Sequence, residues 1–190
     1  MLVSLAPHPD NEAGAVSAIE VDVGRMGRHR LGLEFRIAAN FRQLEWPRPP
    51  LPEARGDMFR DELWRHTCFE AFVKAGDAAE YYEFNLSPSG QWAAYRFTDY
   101  REGMERARIQ PPRVEADQHG LGASRTVKAV LPLGQLGALS AQEPWRIALS
   151  AVIEERNGRR TFWALHHPPG KPDFHHRDCF ALQLAPARPA

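Results

Sequence analysis

Three consecutive stretches decide the fold: LWRHTCFEAFV (Leu63–Val73), YYEFNLSPSG (Tyr81–Gly90) and QWAAYRF (Gln91–Phe97). Each alternates side-chain character with a period of two and is set off from the next by turn residues, the pattern of an antiparallel sheet. In the first, Phe69, Ala71 and Val73 point one way and Cys68, Glu70 and Phe72 the other. In the second, Tyr82, Phe84 and Leu86 are expected inward, with Tyr81, Glu83 and Asn85 outward. In the third, Ala93, Tyr95 and Phe97 are expected inward, with Trp92, Ala94 and Arg96 outward. One face is an apolar core. The other collects carboxylates, an amide, a guanidinium and aromatic rings.

The flanking sequence extends the same pattern. Ser17 to Arg25 alternates, and Leu31, Leu33, Phe35 and Ile37 share one face of Arg30 to Ala39. Ser124 to Leu131 reads as a strand, as does Trp145 to Glu154, with Trp145, Ile147, Leu149, Ala151 and Ile153 on one side. Asn157-Gly158 is a hairpin signal before the return strand Thr161 to His166. Phe41 to Gly56 carries four prolines and cannot lie inside a sheet. Roughly nine or ten strands at this spacing, with no strand–helix–strand rhythm, predict an all-β antiparallel fold, a β-sandwich or barrel, with few short helical turns. Residues 57–66 fit either a short helix or a loop. The 190 residues are expected to form one domain with a core from about 17 to 184, between a loose N-terminal leader and a frayed C-terminal tail.

Composition narrows the function. Lys and Arg number 24, as do Asp and Glu, so the formal net charge is zero, which disfavours nucleic-acid backbones as partners. No apolar run approaches the ~20 residues of a membrane-spanning helix. The N-terminus has neither a basic n-region nor a long apolar segment, so a cytoplasmic location is expected. Cys68 and Cys179 form no C-x-x-C pair and are expected to be free, half-buried thiols.

The chemistry-bearing residues sit on the polar face and beside it. Trp64 precedes Glu70 by six positions and can offer a flat ring to a sugar. Glu70, Glu83, Asn85 and Arg96, with Trp92 among them, are expected on one side of adjacent strands, where carboxylates, amide and guanidinium can hold hydroxyls. Four of the eight histidines fall in HHPPGKPDFHHR, His166 to Arg177. Adjacent histidines in a strand face opposite ways, which weakens a metal reading. The prolines are instead expected to hold Phe174 and His175 at the rim of the binding face. No G-x-S-x-G elbow, P-loop or H-E-x-x-H occurs. Nothing marks one carboxyl as acid and another as base, so glycoside hydrolysis is disfavoured.

The motif resembles that of DOMON-like domains related to family 9 carbohydrate-binding modules. It is carried by Trp64, Glu70, Phe72, Tyr82, Glu83, Phe84, Asn85, Pro88 and Gly90. The resemblance implies a β-sandwich that binds a sugar between two rings, with Glu, Arg and Asn holding its hydroxyls, or haem in other branches. On that basis Trp64 supplies one ring, Glu70 the acidic contact, and Asn85 and Arg96 further contacts. Phe174, with Trp163 behind it, is the candidate second ring. The expectation is a non-catalytic domain binding a carbohydrate or similar small polar ligand, without a cofactor. A haem- or metal-binding domain and a protein-interaction scaffold are the alternatives.

Overall fold

The computed structural model describes residues 1–54, 56–119 and 122–187. The strands, in chain order, are β1 (Leu2–Pro7), β2 (Val16–Arg25), β3 (Arg30–Ala39), β4 (Cys68–Ala75), β5 (Tyr81–Leu86), β6 (Trp92–Phe97), β7 (Glu105–Arg106), β8 (Arg113–Ala116), β9 (Ser124–Pro132), β10 (Trp145–Glu154), β11 (Arg160–Ala164) and β12 (Leu182–Leu184). They pair in the order β7-β6-β5-β4-β10-β11-β1-β2-β3-β9-β8, and β12 adds to the edge of β10. Each of these strand pairings is antiparallel.

The path folds into the two layers of a β-sandwich at β1. Leu2 to Leu5 pair with β2, whereas Ala6 and Pro7 pair with β11, so one strand passes from layer to layer. The loose leader expected for residues 1–16 is therefore corrected: Leu2–Pro7 is a strand, held by backbone hydrogen bonds that composition does not reveal. At the other end Ala187 N–H donates to the Ala141 carbonyl at 3.0 Å, while 188–190 lie outside the described residues. Residues 57–66 are mainly irregular, with a single 3-10 turn at Leu63–Arg65.

Alternation places the core between the layers. Val21, Leu33, Phe35, Ile37 and Val127 from one layer meet Phe69, Ala71, Phe84, Leu149 and Ala151 from the other. The Phe35 and Phe69 rings touch across the interface with centroids 5.0 Å apart. Burying such a side chain stabilises the fold by roughly 1.5–3 kcal/mol. The layers differ on their outer faces. β2 exposes the residues between Ile19, Val21 and Val23 to solvent. β5 is buried at every position. Its outer face is roofed by the loops around 57–66, 98–104 and 166–180, and a second apolar cluster of Leu63, Phe72, Tyr81, Tyr95, Phe97 and Phe180 fills part of that space.

Roofing explains one correction. β6 runs opposite to expectation: Trp92 and Ala94 join the inter-layer core, and Ala93, Tyr95 and Phe97 face outward. The register requires it, because Tyr81 pairs with Phe97, Glu83 with Tyr95 and Asn85 with Ala93, and paired residues share a face. With both faces of β6 covered, Ala93, Tyr95 and Phe97 on one side are no more polar than Trp92 and Ala94 on the other.

Candidate functional site

The roofed outer face of β4, β5, β6 and β10 holds the candidate site. Register sets its floor in two rows. Ser150, Glu70, Asn85 and Ala93 are consecutive partners in one row, and Ala148, Phe72, Glu83 and Tyr95 in the next. Glu70 and Glu83 are therefore diagonal neighbours on adjacent strands, where Cα separations are roughly 7–8 Å. A cleft of about 370 Å³ opens above them, walled by Trp64, Phe97, Arg101, Phe162, Phe174 and His175.

Each floor residue is held by its neighbours. The Ser150 hydroxyl donates to Glu70 Oε2 at 2.8 Å. Asn85 Nδ2 donates to Glu83 Oε1 at 2.6 Å, and the Cys68 thiol donates to Asn85 Oδ1 at 3.4 Å. Both carboxyls are almost wholly buried, Glu70 at 2% and Glu83 at 5% exposure. Burial pushes the Glu70 pKa well above the ordinary carboxylate range, and the neighbouring Glu83 adds to the rise. Burial also raises Glu83, against hydrogen bonding from Asn85 and the charge of Arg101.

His175 closes one wall. The Arg101 backbone N–H donates to Tyr81 Oη at 3.1 Å, and Tyr81 Oη lies 2.8 Å from His175 Nδ1. The other ring nitrogen, Nε2, lies 3.7 Å from Glu83 Oε2, so the imidazole bridges the tyrosine and the floor carboxyl. Burial, reinforced by Arg101, lowers the His175 pKa to about 4. At neutral pH the contact with Glu83 is thus one between a neutral ring and a carboxyl, not an ion pair.

The loop after β6 supplies Arg101. Its guanidinium donates to Asp173 Oδ1 at 2.8 Å, and the Tyr100 hydroxyl donates to Asp173 Oδ2 at 2.6 Å. Two neighbouring backbone features make the turn: Arg101 adopts a positive φ of 55°, and Gly103 has φ 61° with Thr98 packed where a Cβ would stand. Glycine fits there because it lacks that atom. Arg101 had no signal in the strand pattern, and only tertiary packing brings it to the cleft.

The predicted site residues divide. Trp64, Glu70, Glu83, Phe174 and His175 line one cleft. Asn85 lies beneath, fully buried and holding Glu83. Trp92 does not reach the cleft: it sits in the inter-layer core and its indole N–H donates to the Asp57 carbonyl at 3.1 Å. Arg96 is also elsewhere, bonded to Glu80 just before β5 and to Glu105, its cross-strand partner on the edge strand β7. Both corrections follow from the reversed face of β6. Trp163, expected behind Phe174, belongs to the inter-layer core, and Phe162 packs against Phe174 instead, with centroids 6.3 Å apart.

No family model and no curated protein sequence matches this chain. Among solved structures, a candidate carbohydrate-binding protein from Bacteroides uniformis is similar over 85% of this chain and 75% of its own, with a TM-score of 0.59 at 12% identity. A family 9 carbohydrate-binding module from Caldicellulosiruptor kristjanssonii, solved with glucose, is similar over 80% of this chain and 69% of its own, with a TM-score of 0.45 at 13% identity. The same module with cellotriose gives a TM-score of 0.46 at 11% identity, over 80% of this chain and 67% of that one. The Bacteroides protein shares the fold.

Two further facts bear on the chemistry. The two thiols are free, and both are fully buried, not half-buried as expected. Among the described residues no group of three or more His, Cys, Asp or Glu side chains converges to hold a metal ion.

Proposed function

We propose that this chain is a non-catalytic binding domain that takes a carbohydrate or similar small polyol in the cleft above Glu70 and Glu83. The observation that carries this reading is the combination of aromatic rings on the walls with hydrogen-bonding groups on the floor, joined at the wall by Arg101 and His175. A sugar ring presents C–H faces that pack on aromatic surfaces, and hydroxyls that both donate and accept. A protonated carboxyl also does both, which suits a buried floor whose carboxyls have raised pKa values. The shared fold of the Bacteroides uniformis protein agrees with this reading at the level of architecture.

Binding without turnover is favoured because both carboxyls shift in the same direction. A glycosidase pair needs environments that push one carboxyl up as the acid and leave the other ionised. Isothermal titration calorimetry against a panel of mono- and oligosaccharides tests the proposal. Heat of binding that is weakened in Trp64→Ala and Glu70→Gln supports it. A panel with no response from any sugar removes it.

A further inference from the structure

We propose that this cleft selects ligands carrying a protonated amine, and therefore prefers amino sugars to their neutral counterparts. The inference rests on the binding reading above and concerns what the same site discriminates.

The charge inventory of the cleft motivates it. Glu70 and Glu83 both line the cavity while remaining almost wholly buried. Among the described residues neither carboxyl has a Lys or Arg within ion-pair distance. Glu70 has the Ser150 hydroxyl, and the basic group next to Glu83 is His175 at 3.7 Å. The cationic wall residue, Arg101, already has its counter-charge in Asp173 at 2.8 Å. Arg101 is shared with Asp173, so its field offsets the burial of the two carboxyls only in part, and each remains in a desolvated floor without an ion-pair partner of its own.

An unpaired buried carboxylate is strongly disfavoured, so the floor either keeps protons or acquires a cation. A ligand ammonium supplies that cation. The walls favour the same guest: Trp64, Phe72, Phe97, Phe162 and Phe174 surround the cavity, and aromatic faces attract a desolvated cation. A neutral sugar gains the stacking but neither charge interaction.

Proton release should accompany binding. The titratable and charged groups facing the pair are Cys68 on β4, Tyr81 on β5, Tyr95 on β6, and Arg101, Asp173 and His175 on the roofing loops. Burial keeps Cys68, Tyr81 and Tyr95 protonated and His175 neutral around pH 7. Asp173 is already ionised, because hydrogen bonds from Tyr100 and Arg101 outweigh its burial. The two floor carboxyls are therefore the groups that ionise when an ammonium arrives.

Calorimetry at about pH 7, in two buffers of different ionisation enthalpy, compares glucose with glucosamine and with the 6-amino analogue of glucose. At least one amino sugar should bind about tenfold or more tightly than glucose, a difference of ~1.4 kcal/mol, with net proton release from the protein. The Glu70→Gln/Glu83→Gln double variant should bring that ratio towards one. Equal or tighter binding of glucose overturns the inference, as does a preference that survives the double substitution, and in both cases the carbohydrate-binding reading still stands. The absence of binding by every sugar, charged or neutral, overturns both.

Discussion

Arg101 Nη2 donates to Asp173 Oδ1 at 2.8 Å, and this contact ties the loop following β6 to the proline-rich loop preceding β12 at the edge of the cleft. The Tyr100 hydroxyl reaches the same carboxylate, so two consecutive side chains hold one residue. The wall residues Phe174 and His175 follow directly in sequence, and their positions depend on that anchor.

Breaking the anchor should loosen the wall more than the fold. An ion pair with this much solvent contact contributes about 0.5–1 kcal/mol. Asp173→Asn is therefore expected to cost no more than that in urea denaturation, while ligand affinity falls by a larger factor. The backbone gives a sharper comparison. Arg101 holds a φ of 55°, where a side chain is strained and glycine is not. Arg101→Gly should be more stable than Arg101→Ala by about 1 kcal/mol. Equal stabilities would show that the turn relaxes when the guanidinium is removed.

The two buried carboxyls make stability depend on pH in an unusual direction. Their folded pKa values lie above the ordinary value of 4.5, so the native state binds more protons than the unfolded chain. Their contribution is fully present below about pH 4.5 and is lost as pH rises through the raised values. His175 acts oppositely. Its folded pKa, lowered from 6.5 to about 4, gives stability that is present above 6.5 and lost as pH falls. Urea denaturation between about pH 5 and pH 9 should show stability falling between about pH 6.5, where His175 no longer contributes a rise, and about pH 8, and levelling off above that. Glu70→Gln/Glu83→Gln should flatten that decline and leave the acid limb governed by His175. An unchanged decline up to about pH 8 would assign the pH dependence to other groups.

The two tryptophans expected at the binding face should behave differently. Trp64 borders the cleft, with its ring edge-on to Tyr95 at 5.6 Å between centroids. Trp92 is 3% exposed within the inter-layer core. Trp92→Ala is expected to destabilise the protein by about 3–5 kcal/mol. Trp64→Ala should cost much less in thermal or urea melts and should instead weaken ligand binding.

Across the interface between layers, Phe35 on β3 is fully buried against Phe69 on β4. Phe35→Ala should cost about 3–5 kcal/mol, because the rigid sheets on either side cannot close the resulting cavity. A loss below 1 kcal/mol in urea denaturation would mean the layers approach each other more freely than this packing implies.

Local sequence decided the elements whose two faces differ. β2, β3 and β9 alternate against solvent, so their inward residues were legible one by one. The motif also marked Trp64, Glu70 and Glu83, and the proline-rich loop marked Phe174 and His175. Tertiary structure decided what alternation could not encode. The loops that cover the outer face of β4 to β6 bury β6 on both sides, and in WAAYRF nothing local then separates Tyr95 from Trp92. Cross-strand register with β5 turned Tyr95 towards the cleft, and Trp92 and Arg96 away from it. Arg101 and Asp173, 72 positions apart in the chain, meet only because the sheet brings their loops together. A period-two pattern records which side of a strand is buried, but chain closure in three dimensions determines what buries it.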